Sequence, residues 1–382
     1  MFYNALSHYP YVFNLLLAFT ALSVAGIVSF LFTPLTKKLA FRVGAISVPK
    51  DDRRMHSKPM ALMGGLAIFI GFVTSVLLFC PLDKQDIGLL IGGFIIIVGG
   101  VIDDIFTVKF FHKLPFQFVA ALIIVLFGTR IGFFSDFHIF GNGTEFTLGF
   151  FEIPVTILWI MGITNAVNFI DGLDGLACGI SCISSLSMLI ICLLLQQYHI
   201  ALVIAALTGS CLGFLPFNFN PAKIFMGETG AAFLGFVLAV TSIRGLFKIY
   251  TLIFVIPFLV ICLPIFDIFY NFFRRLFSGT APWKADKNHI HHRLVKLGFS
   301  HKQTVAILYL VSIVMGISAV IMVENGAERA LIVIAVALLA VIVGLNIYLR
   351  LLKGDDSDID EDSTDAVAST DTVESVEEIE KK

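Results

Sequence analysis

The chain has 382 residues, of which 58% are hydrophobic and only 14% charged, and its mean hydropathy is +0.93. These values exclude an ordinary soluble globular domain and indicate many membrane-spanning helices. The formal net charge of -2 combines a basic body with an acidic C-terminus, so it does not indicate a nucleic-acid partner.

Apolar runs of roughly 16 to 21 residues recur along the chain, close to the length that a helix needs to cross a hydrocarbon core of about 30 Å. They predict an all-α polytopic membrane protein with about eleven transmembrane helices, the first run being a helix rather than a cleavable signal peptide. The predicted spans are 12–32, 61–80, 87–102, 115–134, 151–167, 176–195, 200–217, 229–246, 251–271, 304–323 and 329–349. The six cysteines form no Cys-x-x-Cys pair, which indicates neither a disulfide framework nor a zinc site.

Positive charge is concentrated in two linkers, which follow the first and the ninth predicted spans. By the positive-inside rule both linkers are cytoplasmic, so the N-terminus is predicted outside and the C-terminus inside. Alternation then places the polar loops near residues 103, 168, 217–228 and 289 on the cytoplasmic side. The outer loop 135–150 is predicted to form a small hairpin.

The composition changes abruptly near the C-terminus to Asp, Glu, Ser and Thr with few large apolar residues. This change predicts a membrane domain over residues 1–353 and a disordered acidic cytoplasmic tail over residues 354–382.

The segment 165–176 ends an apolar run with Asn-Ala-Val-Asn-Phe-Ile-Asp-Gly-Leu-Asp-Gly-Leu. Asp171 and Asp174 are three residues apart and each precedes a glycine, so a turn or helix start can direct both carboxylates, with Asn168, toward one hard cation. The alternative is a polar loop that caps two membrane helices, but a cap requires one such side chain rather than four.

Two adjacent acids, Asp103 and Asp104, close the third predicted span, and Lys113 and Gln117 follow near the fourth. Adjacent carboxylates repel unless they share a cation or a proton. Solvation of a helix end is the alternative, but a second acidic pair on the same face favours a metal-assisted site.

The sequence Phe-Met-Gly-Glu-Thr-Gly at 225–230 opens the eighth predicted span. Its backbone N–H groups form a helix N-terminus that suits an anion, with Glu228 at the membrane boundary. Asn218 adds a polar group to the preceding loop, although a glycine-flanked acid is also a common helix cap.

Three histidines, His289, His291 and His292, precede Arg293 in the most basic loop. Such a cluster can bind either zinc or phosphate. The neighbouring Lys and Arg residues oppose a cation, so phosphate binding is favoured over zinc and over a merely basic loop.

Carboxylates for magnesium, basic groups for phosphate and a location where membrane meets cytosol together predict phosphoryl transfer between a soluble nucleotide and a lipid phosphate. An ion-coupled transporter is the alternative from another class. It would place its acids near the middle of the bilayer in broken helices, whereas these acids lie at the ends of spans.

At these residues the sequence resembles the polyprenyl-phosphate N-acetylhexosamine-1-phosphate transferase family, in the branch that makes undecaprenyl-pyrophosphoryl-N-acetylglucosamine. The resemblance runs from about residue 40 to 300 and rests on four motifs. They are Asp103-Asp104 with Lys113 and Gln117, the segment 165–175, Phe225-Met-Gly, and His289-Ile-His-His-Arg-Leu. His-x-His-His-Arg is more similar to the sugar-phosphate branch than to the peptidoglycan pentapeptide branch.

The resemblance implies that the phosphate oxygen of undecaprenyl phosphate attacks the β-phosphorus of a UDP-sugar and that UMP leaves. It implies N-acetylglucosamine 1-phosphate as the transferred group, Mg²⁺ or else Mn²⁺ as cofactor, and a site on the cytoplasmic face of the bacterial inner membrane. The pathway would build a cell-envelope glycan. A phospho-MurNAc-pentapeptide-type or other UDP-sugar donor stays an alternative, and a homodimer stays open.

The resemblance also implies roles for individual residues. The catalytic residues would be Asp103, Asp104, Asp171 and His291, with Asp103 acting as base or, in a two-step mechanism, as nucleophile. The metal ligands would be Asp104, Asn168, Asp171 and Glu228. The substrate-binding residues would be Lys113, Asn168, Asp174, Asn218, Phe225, His289, His292 and Arg293. Phe225 would stack on the uracil, and His289, His291, His292 and Arg293 would bind the diphosphate of the donor.

The sequence departs from the family pattern at three positions. Glu228 replaces the usual Asp after Met-Gly, Leu62 stands where an Arg precedes the paired glycines, and Ser47 stands where an Asp is expected. These departures make a different donor, or a catalytically degenerate paralogue that binds lipid phosphate, the alternatives to an active transferase.

Overall fold

The computed structural model describes residues 10–48, 59–134, 146–246, 255–277, 289–325, 328–329 and 331–336. The chain forms two compact units, residues 1–326 and 327–382. In the second unit the described residues, 328–329 and 331–336, are helical. Most of the eleventh predicted span and the whole acidic tail lie outside the described residues.

Helices make up most of the described part of the first unit. They are α1 (Pro10–Val43), α2 (Gly65–Phe79), α3 (Lys84–Phe106), α4 (Phe110–Leu126), α5 (Glu152–Ile170), α6 (Leu176–Leu194), α7 (Tyr198–Asn218), α8 (Gly227–Gly245), α9 (Val255–Val260), α10 (Cys262–Phe277), α11 (Ile290–Lys296) and α12 (His301–Asn325). The strands are β1 (Ile46–Ser47), β2 (Met60–Ala61), β3 (Phe133–Phe134) and β4 (Phe146–Thr147).

Among the described helices, six are long and apolar enough to cross a membrane, namely α1, α3, α5, α6, α7 and α12. Two further apolar helices, α2 and α4, are shorter. The prediction of a multi-pass helical membrane protein is therefore confirmed. The count of eleven spans and their orientation stay predictions.

The ninth predicted span, 251–271, contains two described helices, α9 and α10, rather than one. Pro264 lies in the first turn of α10 and has no N–H, so it leaves the carbonyl of Val260 without its intrahelical donor. Ser184 on α6 replaces that donor, with its Oγ 2.7 Å from the Val260 oxygen. The single-helix prediction was wrong because it ignored the proline.

The strands form two small antiparallel sheets. Ile46 of β1 lies opposite Ala61 of β2, and Phe133 of β3 lies opposite Thr147 of β4. The second pairing brackets the hairpin predicted in the outer loop, whose residues 135–145 lie outside the described part of the chain.

The helix α8 forms the buried centre of the first unit, with residues 229–245 all buried. Glycines let two neighbours approach its N-terminus. A Cβ added at Gly65 of α2 would lie 2.1 Å from the nitrogen of Gly230, and one added at Gly100 of α3 would lie 2.4 Å from the Cα of Thr229. These contacts hold α2 and α3 against the first turn of α8, where Glu228 is located.

A partly buried ionic cluster fixes the opposite end of α8. Arg244 lies 2.6 Å from Asp86 and 3.1 Å from Asp83, both at the start of α3, and His199 of α7 lies 2.8 Å from Asp86. Asp83 and Asp86 also form a reciprocal capping box at the N-terminus of α3. The two acids therefore have structural partners, and the cluster joins three helices.

The close packing at Gly65 predicts that even a methyl group is too large there. We expect Gly65→Ala to lower the free energy of unfolding by about 1–3 kcal/mol, because the backbone of α8 must move to admit the Cβ. The measurement is thermal unfolding of the purified protein in detergent.

Gly162→Ala is the matched control, since Gly162 also lies in a helix but a Cβ added there would have no heavy atom of a neighbouring element within 4 Å. This change should leave the unfolding midpoint unchanged or raise it slightly. Equal midpoints for the two variants would contradict the packing argument.

Candidate active site

A cavity of about 410 Å³ opens at the N-terminus of α8. All four predicted motifs contribute to its lining, although they are far apart in the sequence. The predicted residues that line it are Asp103, Asp104, Asn168, Asp171, Asp174, Asn218, Phe225, Glu228 and His292. The structure therefore brings the predicted polar loops to one place.

The buried carboxylate of Asp104 caps α8. One oxygen accepts from the backbone N–H of Glu228 at 2.9 Å, and the other accepts from the N–H and hydroxyl of Thr229 at 3.3 and 2.5 Å. Gly227 permits this contact, because its φ is +73° and a Cβ would lie 2.5 Å from an Asp104 oxygen. Part of the charge of Asp104 is thus balanced by the positive end of the helix dipole.

Lys113 bridges two other acids of the cavity. Its Nζ lies 3.0 Å from Asp103 and 2.8 Å from Glu228. The second Glu228 oxygen accepts from the Asn168 amide at 2.5 Å, and Asp103 also accepts from the N–H of Val108 at 2.8 Å. The ends of α3, α4, α5 and α8 are therefore linked through one charged chain of side chains.

Asp171 ends α5 and lies half-buried in the cavity lining. Among the described residues no hydrogen-bond donor contacts its carboxylate. Burial, followed by the negative charges of Glu228, Asp104 and Asp174, raises the pKa of Asp171 to about 7. Among the described residues, Asp171 therefore has no counter-charge in contact with it.

Asp174 holds the next loop in place. One of its oxygens accepts from the side-chain amide of Asn220 and from the N–H of Ala222, both at 3.0 Å. Asn218 donates to the carbonyl of Ile224 at 3.1 Å. The backbone N–H of Phe225 donates to Ala61 of β2 at 2.9 Å. These contacts shape the wall of the cavity that Phe225 lines, so Asp174 positions that wall.

The histidines form a row from α11 toward the cavity. The rings of His289 and His291 are stacked with centroids 5.9 Å apart, and those of His291 and His292 are 4.3 Å apart. His291 is only 2% exposed and packs on Gly172, where a Cβ would lie 2.2 Å from its Nε2. Burial, with the neighbouring histidines, lowers the pKa of His291 to about 3. In the unliganded protein His291 is therefore neutral at physiological pH.

Residues of α10 that were not predicted from the sequence position this row. Asp267 lies 2.6 Å from Nδ1 of His289, and the guanidinium of Arg293 lies 4.6 Å from the centre of the Tyr270 ring. An acid inside an apolar run is a visible signal for function, and Asp267 could have been found on that ground. Asn220 and His301, which also line the cavity, carried no such signal.

The donor set suits a hard divalent cation. Five carboxylates line the cavity, and Lys113 contacts two of them. Within the described part of the chain, Asp171 has no charged partner. Within the described residues, the one tight cluster of possible metal ligands lies outside the cavity, at the far end of α8. Its members are Asp83, Asp86 and His199, whose ligand atoms lie within 4.8 Å of one another. The cavity acids are more widely spaced, as expected where Mg²⁺ is held by one or two carboxylates and completed by substrate phosphates and water.

All three departures from the family pattern fall on this cavity. Ser47 of β1, Leu62 after β2 and Glu228 of α8 all line it. Glu228 retains the negative charge, and its longer side chain reaches both Lys113 and Asn168.

Comparison with known proteins supports the interpretation of these motifs. The model of Glycosyl transferase family 4 matches residues 87–246. A relative from Bacillus subtilis, named probable undecaprenyl-phosphate N-acetylglucosaminyl 1-phosphate transferase, is 42% identical over 306 residues, which cover 78% of this chain and 84% of the relative.

Two more distant relatives extend this comparison. A decaprenyl-phosphate N-acetylglucosaminephosphotransferase from Mycobacterium tuberculosis is 33% identical over 364 residues, 87% of this chain and 89% of the relative. An undecaprenyl-phosphate alpha-N-acetylglucosaminyl 1-phosphate transferase from Escherichia coli is 27% identical over 305 residues, 78% of this chain and 82% of the relative. The family resemblance seen in the motifs is thereby confirmed, and the chain belongs to glycosyl transferase family 4, among the polyprenyl-phosphate N-acetylglucosaminyl 1-phosphate transferases.

Proposed function

We propose that the protein transfers N-acetylglucosamine 1-phosphate from UDP-N-acetylglucosamine to undecaprenyl phosphate. A phosphate oxygen of the acceptor attacks the β-phosphorus, the bond from that phosphorus to the oxygen shared with the α-phosphorus breaks, and UMP leaves with that oxygen. The product is the lipid-linked sugar pyrophosphate. The observation that carries this proposal is one cavity in which acids from three motifs meet beside Lys113 and His292 of the fourth motif.

An apolar groove supports a lipid acceptor. It has a volume of about 350 Å³ and is lined by residues of α5, α9 and α10 that include Leu158, Ala166, Phe258 and Phe269. One turn beyond Ala166, the ring of Phe169 stacks on His289 at 5.7 Å. The groove therefore leads to the phosphate-binding histidine row, and we assign it to the isoprenoid chain of the acceptor.

Asp103 and Lys113 are suited to handling the acceptor phosphate and its proton. Asp103 is held by Lys113 and by the Val108 N–H, so its carboxylate is fixed in the cavity wall. A carboxylate in this position can take the proton of a phosphate monoester as it attacks. Phe225 and Asn218 lie on the wall suited to the uracil, and His292 is suited to the diphosphate.

We propose Asp171 as the principal protein ligand for Mg²⁺, with Glu228, Asn168 and Asp104 around it and Mn²⁺ as a substitute. When bound, the cation would neutralise charge on the donor diphosphate and stabilise the transition state. The protein contributes the orientation of these oxygens, because Asp104 is fixed by α8 and Glu228 by Lys113.

We place the cavity on the cytoplasmic face of the bacterial inner membrane, with eleven spans and the N-terminus outside. The two linkers rich in Lys and Arg support this orientation. A water-soluble UDP-sugar would then reach the cavity from the cytosol.

Removal of the metal should abolish the reaction. We expect UMP release from UDP-N-acetylglucosamine and undecaprenyl phosphate to stop in EDTA and to return with Mg²⁺ or Mn²⁺. Asp171→Asn should lower turnover at least about a hundredfold, or about 2.7 kcal/mol of transition-state stabilisation. The variant should stay folded, because it removes repulsion and no hydrogen bond from a described residue.

Full turnover in EDTA would exclude the metal assignment. A normal rate for Asp171→Asn would exclude Asp171 as a metal ligand, provided that the variant and the unaltered protein have the same unfolding midpoint.

Shortening Glu228 tests whether the cavity is built around the longer acid. Glu228→Asp withdraws the carboxylate by about one bond length from Lys113 and Asn168, and displacements near 1 Å can cost on the order of a hundredfold in rate. We expect kcat/KM to fall about 10- to 100-fold, measured by the same assay. Glu152→Asp, at the opposite end of α5, is the control and should have normal activity. A rise in activity for Glu228→Asp would instead identify Glu228 as a tolerated replacement.

The orientation can be tested with an impermeant maleimide. Lys223, near the cavity, and Lys84, at the start of α3, are both exposed. In a background without the native cysteines, Lys84→Cys should react in intact spheroplasts and Lys223→Cys only in inverted vesicles. Labelling of both from one side would overturn the proposed topology.

A further inference from the structure

We propose that Asp267 is a positioning residue that fixes His289 at the mouth of the apolar groove, where His289 binds the phosphate of the lipid acceptor rather than the diphosphate of the nucleotide donor. This inference rests on the proposed function for the identity of the acceptor. It assigns His289 a different phosphate from the one that the family resemblance implies.

The contacts of Asp267 determine the orientation of His289. One oxygen of Asp267 lies 2.6 Å from Nδ1 of His289, and the other accepts from the N–H of Ile290 at 2.9 Å and from Asn271 at 3.1 Å. A carboxylate only accepts, so Nδ1 of His289 carries the hydrogen and Nε2 is the nitrogen left for a ligand. Asp267 itself is only 1% exposed and its oxygens are occupied, so its charge is not presented to a bound phosphate.

The position of His289 connects it to the groove. Asp267 lies between Ile265 and Ile268, two groove-lining residues of α10. On the facing helix α5, the groove ends at Ala166. Phe169 lies three residues later, about 4.5 Å further along the helix, and its ring stacks on His289. His289 is therefore located where the lipid chain must end and its phosphate begin.

The other histidines separate His289 from the donor. His292 lines the cavity and His289 does not, while the buried His291 lies between them on Gly172. The row thus has a donor end at His292 and an acceptor end at His289. Because Asp267 holds the Nδ1 side of His289, Nε2 is the nitrogen available to the phosphate.

A measurement of lipid binding distinguishes a loss of phosphate recognition from a general disruption of the structure. The chain has two tryptophans, and Trp159 lines the groove, so with Trp283 replaced by Phe its fluorescence reports occupancy. Undecaprenyl phosphate and undecaprenol share the chain and differ by the phosphate. Asp267→Asn and His289→Ala should weaken binding of undecaprenyl phosphate about 10- to 100-fold and leave undecaprenol binding unchanged. Equal weakening of both lipids, or of neither, would overturn the proposal.

Kinetics supply a second, independent readout. Both variants should raise the KM for undecaprenyl phosphate and leave that for UDP-N-acetylglucosamine within about twofold, and the double variant should be no worse than His289→Ala. Asp86→Asn is the matched control, since it also removes a buried carboxylate paired with a histidine, but at the far end of α8. A higher KM for the donor alone would assign His289 to the nucleotide instead.

The two proposals fail in different ways. If the unaltered protein releases no UMP while Asp267→Asn and His289→Ala still weaken binding of undecaprenyl phosphate and not of undecaprenol, the transferase function is wrong and the acceptor site stands. If UMP is released and the variants bind both lipids normally, the acceptor site is wrong and the function stands.

Discussion

The architecture of the site depends on the contact between Asp104 and the first turn of α8. A buried carboxylate needs compensation, and here the donors are two backbone N–H groups and a hydroxyl rather than a lysine. Lys113 is consequently left for Asp103 and Glu228. The same contact requires a glycine at position 227 and fixes the entry of α8 between α2 and α3. One interaction thus joins two motifs that are over a hundred residues apart.

Around this fixed point, the structure separates two chemical environments that a lipid-to-nucleotide reaction needs. The cavity is rich in carboxylates and opens to polar loops, whereas the groove along α5 and α10 is almost entirely apolar. The histidine row of α11 lies between them, held from α10 by Asp267 and Tyr270. The break at Ile261 between α9 and α10 belongs to the same arrangement, because α10 carries both groove-lining and histidine-positioning side chains.

Much of this arrangement could be predicted from the sequence, because apolar run length identifies helices and alternation places the polar loops together. Where the chain is described, the first ten predicted spans are mostly helical. The exceptions are the first four residues of the second span, which begin in β2, the loop end of the fourth, the break in the ninth and single residues at the ends of spans. Individual partners were not predictable, because they depend on which backbones approach each other. Asp174 was expected to point with Asp171 at one cation, but its carboxylate accepts hydrogen bonds from Asn220 and Ala222. His291 is neutral because the absence of a side chain at Gly172 lets its ring lie in a buried position. Asp267 was missed although an acid in an apolar run was visible.

The three departures from the family pattern are best understood together, because Ser47, Leu62 and Glu228 line one cavity. A degenerate paralogue is expected to lose charge or contacts at its site. Here the acid at position 228 retains its charge and makes two short contacts, to Lys113 and Asn168, which a shorter side chain would not reach without movement of the helices. The resemblance implies an Arg at the position of Leu62 and an Asp at the position of Ser47, so these two departures would remove one positive and one negative charge and leave the net charge of the cavity wall unchanged. This compensation favours an active enzyme with an adjusted donor site over a site that has decayed.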